Sequence, residues 1–294
     1  MRVRIGTRGS RLALVQSELV AQLLRDAGHE AVLVPIVTEG DTRPVDMSPG
    51  EGVFVAAIAR ALLEGAIDAA VHSAKDVPLE EEPDLVIACY PDRADPRDAL
   101  ITRDGRSSLV AVERGATVGT DSPRRTGFLR AARPDLRVVP LHGNVDTRLM
   151  RLDQGKIDVL VLAAAGVDRL GRGERIDERL DPALVAPAPG QGALAVQARR
   201  SDRKLLSDLA ALDLPDVRLA VETERVVLRA TGGTCRAPLG ALATITSDTF
   251  SLLVGGVNSD GSDRQIRVIE GLRAEAHDLA AAAGRRLVAE VALR

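Results

Sequence analysis

Aromatic side chains make up only 1% of the 294 residues: Phe54, Tyr90, Phe128 and Phe250, with no tryptophan. Lysine is almost as scarce, at Lys75, Lys156 and Lys204, so nearly all positive charge is arginine. With few stacking rings and a formal net charge of −3, the composition argues against a nucleic-acid partner. Any anion site must be a local basic cleft on a mildly acidic protein. The two cysteines, Cys89 and Cys235, are no disulfide framework and fit a reducing cytosol. The longest apolar run, Val159 to Val167, is less than half of the roughly 20 residues that span a bilayer. The opening MRVRIGTRGS has no apolar leader segment. The expectation is a cytoplasmic protein without a membrane partner. No zinc-type His/Cys/Glu spacing occurs, so no metal is expected.

What is present is a globular composition, 45% hydrophobic and 28% charged, long enough for two or three domains. The first 90 residues alternate strand and helix: strands at 2–7, 31–37, 66–71 and 85–89, and helices at 12–27 and 53–64. This grammar implies an α/β unit with a mainly parallel sheet. A Pro- and Asp-rich stretch, 91–98, interrupts it, after which the pattern resumes with strands at 117–119, 136–141 and 157–162 and helices at 123–132 and 147–153. A second punctuated stretch, 186–192, precedes a strand at 193–197. Two crossings predict a hinge, with the chain returning to the first lobe: 1–91 plus 193–212 as lobe 1 and 97–187 as lobe 2. From 216 the pattern becomes a helix, three short strands and a helix, which reads as a C-terminal α+β domain with an antiparallel sheet over 216–294. An internal echo supports two similar lobes: Leu62-x-x-Gly65-x-Ile67-Asp68-x-x-Val71 repeats as Leu152-x-x-Gly155-x-Ile157-Asp158-x-x-Val161.

Basic residues recur just after the predicted strands: Arg8, Lys75, Arg124, Arg125, Arg148 and Arg169. Ligands of open parallel sheets bind beyond the carboxyl ends of the strands. Ser122-Pro123 reads as a helix cap followed by a first-turn proline. Two arginines in that first turn then oppose the helix dipole, at roughly 0.3–1 kcal/mol each, unless an anion binds there. Six such cations imply a ligand with several carboxylates or phosphates. Asp76 is the acid among them, either a salt-bridge partner or a group that holds a proton or stabilises a developing cation. His72 reads as a buried strand-end residue and Cys89 as inert core. Cys235 lies in a glycine-preceded loop beside Arg236, a setting that favours thiolate and suits either a covalent anchor or a nucleophile.

Nine segments in one order resemble the porphobilinogen deaminase (hydroxymethylbilane synthase) family: IGTRGSRLALVQ (5–16), VTEGD (37–41), AAVHSAKDVP (69–78), DPRDAL (95–100), VGTDSPRR (118–125), LHGNVDTRL (141–149), AGVDRLG (165–171), APGQGAL (188–194) and GTCRAP (233–238). The resemblance implies two periplasmic-binding-protein-like lobes and a small third domain carrying the cysteine. It implies a monomer bearing a dipyrromethane cofactor, held by a thioether to Cys235. Such an enzyme joins four porphobilinogen molecules, releases ammonia each time and frees hydroxymethylbilane by hydrolysis. The matching positions make Asp76 the acid/base. Lys75, Ser122, Arg124, Arg125, Arg148 and Arg169 hold the cofactor carboxylates; Arg8, Ser10, Gln16 and His142 lie at the incoming substrate. The chain departs from the family pattern in the lysine-free loop Met47–Gly52, which includes Glu51, at Asp121 and Thr234, and at His142, where the family usually has arginine. The alternative class is a non-catalytic bilobed homologue that binds polycarboxylates or tetrapyrroles.

Overall fold

The computed structural model describes residues 1–37, 55–80, 82–105, 107–233 and 237–291. In chain order, β1 (Arg2–Arg8), α1 (Arg11–Asp26), β2 (Glu30–Ile36), α2 (Ala56–Leu63), β3 (Ala69–Ser73) and β4 (Leu85–Cys89) come first. A 3₁₀ turn, Ala74–Asp76, follows β3. Next come β5 (Asp98–Thr102), β6 (Thr117–Gly119), α3 (Pro123–Ala132), β7 (Arg137–Val139), α4 (Val145–Asp153), β8 (Val159–Ala163), α5 (Ala164–Arg169) and β9 (Glu178–Arg179). The chain continues with β10 (Leu194–Arg199), α6 (Arg203–Ala210), α7 (Pro215–Ala230), β11 (Leu239–Ile245), β12 (Thr249–Gly256), β13 (Gln265–Leu272) and α8 (Ala276–Glu290).

Contacts divide the described chain into two compact units. One holds the residues up to Ala94 together with Ala193–Arg218; the other holds Asp95–Gly192 and Leu219–Arg294. The first unit has a single sheet of order β2-β1-β3-β10-β4. β1 pairs in parallel with β2 and β3, and β10 runs antiparallel between β3 and β4. Four strands therefore share a direction and one opposes them. Val3 and Ile5 of β1 pack with Val20 and Leu24 of α1 and with Leu205 and Leu209 of α6, all fully buried.

The second unit repeats this plan in the sheet β7-β6-β8-β5-β9, where β5 is the opposing strand in the same fourth place. It also contains the antiparallel sheet β11-β12-β13. Phe128 of α3 joins the two sheets' cores by packing in one cluster with Val257 and Ile266. The α/β class and the antiparallel C-terminal sheet agree with the sequence reading.

The echo is a structural device used once in each unit. Leu62 and Leu152 are fully buried, each contributing roughly 1.5–3 kcal/mol. Gly65 and Gly155 then turn the chain at φ +70° and +69°, a conformation that favours glycine. The next isoleucine, Ile67 or Ile157, fills the space that a Cβ on Gly6 or Gly119 of the adjoining strand would need. Asp68 Oδ2 accepts the Arg4 N–H at 2.9 Å, and Asp158 Oδ2 accepts the Thr117 N–H at 2.8 Å. Each aspartate thus holds the start of the neighbouring strand.

Candidate functional site

In the first unit, parallel pairing sets Gly6 of β1 level with Ala70 of β3, so the carboxyl ends of both strands reach one sheet edge. Arg8 closes β1. Ser10 then caps α1, its Oγ accepting the Ala13 N–H at 3.4 Å. Beside it, Lys75 and Asp76 stand in the 3₁₀ turn, which is pinned by the Ala74 N–H donating to the Ala193 carbonyl at 2.9 Å. Asp76 is exposed and Lys75 half-buried. Gln16 is buried, and its Nε2 donates to Ser73 Oγ at 3.0 Å. It braces the end of β3, two residues before Lys75.

In the second unit, β7, β6 and β8 are adjacent and parallel, so three basic loops share an edge. Ser122 caps α3 through its Oγ and the Arg125 N–H, with Pro123 in the first turn, as the sequence predicts. The arginines of that first turn meet an anion of their own chain. Asp98, fully buried at the start of β5, accepts Arg124 Nη1 at 2.7 Å and Arg125 Nε at 3.0 Å. Burial alone would raise the Asp98 carboxyl, but the charges of Arg124 and Arg125 hold it well below the usual carboxylate range. Arg124 is itself lowered, first by its burial.

After β7, Asn144 caps α4, and Arg148 Nε donates to the Gly143 carbonyl at 2.7 Å. Burial, then the like charge of Arg125, push the Arg148 guanidinium down to about 10, with Asp121 opposing. His142 Nδ1 lies 2.9 Å from Asp121 Oδ2. Two of the departures from the family pattern are therefore one contact. Arg169 ends α5 and donates from Nη2 to the Gly192 carbonyl at 2.8 Å.

His72 is buried in β3, and the loss of hydration lowers its imidazole to about 4, so it is neutral at ordinary pH. Burial pushes the Cys89 thiol up to about 12, as suits a core cysteine. Cys235, Thr234 and the loop containing Glu51 lie outside the described residues.

Sequence reasoning missed Asp98 and Gln191, both fully buried. Gln191 Nε2 donates to Asp98 Oδ1 at 2.9 Å and to the Pro96 carbonyl at 2.7 Å. The available signal was an acid heading the apolar run Asp98-Ala99-Leu100-Ile101, which burial obliges to find a cation.

The family model described as "Porphobilinogen deaminase, dipyromethane cofactor binding domain" matches residues 3–207. A porphobilinogen deaminase of Acidothermus cellulolyticus is 47% identical, over 98% of this chain and 88% of that relative. One of Roseiflexus castenholzii is 45% identical, over 98% of this chain and 94% of its own length. Among solved structures, an ABC-transporter periplasmic substrate-binding protein of Coxiella burnetii is similar with a TM-score of 0.44 at 17% identity, over 74% of this chain and 94% of that one.

Proposed function

The chain belongs to the porphobilinogen deaminase family, and from that premise we infer that it is a transferase condensing four porphobilinogen molecules stepwise. Ammonia leaves at each addition, and hydrolysis frees hydroxymethylbilane. The curated relatives are named as enzymes, which favours this reading over a non-catalytic binding homologue.

The observation that carries the assignment to this chain's own residues is an excess of fixed positive charge at the strand ends. Arg125 and Arg148 sit close enough for one to disfavour the charge of the other, with Asp98 and Asp121 compensating in part. Such a donor set fits a ligand bearing several carboxylates. A dipyrromethane joined to Cys235 would supply the primer from whose free end the chain of added units grows. Its acetate and propionate groups are assigned to Ser122, Arg124, Arg125, Arg148 and Arg169, and to Lys75. The incoming porphobilinogen is assigned to Arg8, Ser10 and His142, with Gln16 acting through Ser73.

Asp76 is the proton-handling group. An exposed carboxylate on a short turn can reach a reacting nitrogen, give and take a proton there, and stabilise positive charge that develops on a pyrrole ring. Guanidiniums cannot serve that purpose, because they keep their protons. We assign the protein to the cytoplasm as a monomer, without nucleic-acid or membrane partners. Among the described residues no helix is long and apolar enough to cross a membrane.

Incubation with porphobilinogen tests the reaction. Four ammonia molecules per hydroxymethylbilane are expected. Binding of porphobilinogen without ammonia release would favour the non-catalytic alternative.

A further inference from the structure

Helix α8 and the sheet β11-β12-β13 leave a cavity of about 190 Å³ between them. It arises from a change of side-chain size along the helix. Leu279 and Leu287, about two turns apart, each drop into a place where the sheet carries no Cβ. A Cβ on Gly271 would stand 2.7 Å from Leu279 Cδ1, and one on Gly256 would stand 2.9 Å from Leu287 Cδ1. Between the two leucines the helix offers only Ala282 and Ala283 to this space. Gly284 meanwhile lies against α7, where a Cβ would stand 2.6 Å from the Val227 carbonyl oxygen. The helix is thus fixed at both leucines and at Gly284, and a gap remains over Val254 of β12 and Ile269 of β13.

The cavity is apolar at one end and cationic at the other. Gln265 and Arg267 of β13 and Arg286 of α8 line the second end, beside Leu287. Glu290 is a single carboxylate serving both guanidiniums. Its Oε1 accepts Arg286 Nε at 3.0 Å, and its Oε2 accepts Arg267 Nη1. Among the described residues neither guanidinium has another hydrogen bond, and no acidic side chain lines the cavity. One positive charge is left over, with free N–H donors on both arginines. Apolar walls and one surplus cation select a guest with an apolar body and a single anionic group at its end. A cavity of roughly 150 Å³ already holds benzene, so one ring fits this space.

We propose that this cavity is a binding site for a small monocarboxylic acid with a single-ring apolar body. The ring sits between Ala282, Ala283 and Ile269, and the carboxylate is held by Arg267 and Arg286. The site uses none of the residues assigned above to porphobilinogen or the dipyrromethane. A guest carrying several charges would press one of them against the alanines and Ile269, with no partner there.

The probe is phenylacetate, titrated calorimetrically into the purified protein, with the neutral phenylacetamide as its control. Phenylacetate is expected to bind one site in the millimolar range or tighter, and the amide at least tenfold more weakly. Ala283→Leu, which fills the cavity, should weaken phenylacetate at least tenfold. Arg286→Gln, on the exposed face of the helix, should weaken it at least threefold. Thermal melting accompanies both variants. Absence of binding, equal binding of acid and amide, or wild-type affinity in Ala283→Leu would overturn the proposal; the last result would place the acid elsewhere on the protein. If Ala283→Leu fails to melt cooperatively, Arg286→Gln decides by the same criterion. A wild type that binds no acid but sediments as a dimer, which Ala283→Leu dissociates, would give the groove to a second copy of the chain and overturn the proposal as well.

Discussion

His142 Nδ1 lies 2.9 Å from Asp121 Oδ2, and both side chains are less than one-fifth exposed. The two residues follow adjacent parallel strands, β6 and β7, so the sheet brings them together across a sequence gap. Asp121 also favours the charge of Arg148. With Asp98, it is thus a carboxylate of the chain itself inside a cluster of cations.

The first prediction follows from that contact. Residues in contact couple by roughly 0.5–3 kcal/mol. His142→Asn should raise KM for porphobilinogen, and the rise should shrink at least twofold in an Asp121→Asn background. Steady-state kinetics on the two single variants and the double variant check this. Equal effects in both backgrounds would mean that the pair does not act as a unit. His142→Arg, which restores the residue usual in the family and can hold a carboxylate with two bonds, should lower KM.

Asp76→Asn should lower turnover by at least the ~10²-fold that loss of a proton-transfer group costs. KM should change little, and because the residue is exposed the stability should stay within ~0.5 kcal/mol. Ammonia release at saturating porphobilinogen, with a melting curve, measures both. A loss confined to KM would make Asp76 a binding group.

The buried imidazole of His72 predicts a pH dependence of stability. Its folded value is lowered from 6.5 to about 4, so the unfolded chain binds this proton first as pH falls. Stability should be constant above 6.5 and decline from about pH 6.5 towards 4, by at most about 3 kcal/mol. Melting temperature against pH should show this decline in the wild type, and His72→Asn should flatten it between pH 6.5 and 5. An unchanged slope in the variant would assign the decline to other groups.

Much of this architecture was legible because it is local. Ser122-Pro123 marks the start of α3, and the glycine turns at Gly65 and Gly155 close the helices before β3 and β8. Arg8 ends β1, Lys75 lies in the turn after β3, and Arg124, Arg125 and Arg148 lie in the helices that follow β6 and β7, so the alternation of strand and helix was enough to place them beyond the strand ends. What sequence could not supply is long-range. The antiparallel insertion of β5 and β10 depends on strand order, which leaves no local period. The stretch Asp95–Asp98 reads as punctuation, yet its last residue starts β5 and pairs with arginines 26 and 27 positions away. The strand at 66–71 begins later, at Ala69, and Asp68 before it meets β1 through both its N–H, which donates to the Arg4 carbonyl, and its Oδ2, which accepts the Arg4 N–H. α5 and α6 were not anticipated. α5 is a single short run after β8, and α6 starts on the Asp202 side chain, which accepts the Leu205 N–H at 3.1 Å.

The most direct test of the whole account is the intact mass of the purified protein and of its cysteine variants. The wild type should be heavier than its sequence by one linked pair of pyrrole units. Cys89→Ser should keep that gain and Cys235→Ser should lose it with turnover, since a serine oxygen is a poorer nucleophile than a thiolate. A wild type at its sequence mass, or a Cys235→Ser protein that retains the gain and turns over, would contradict the account.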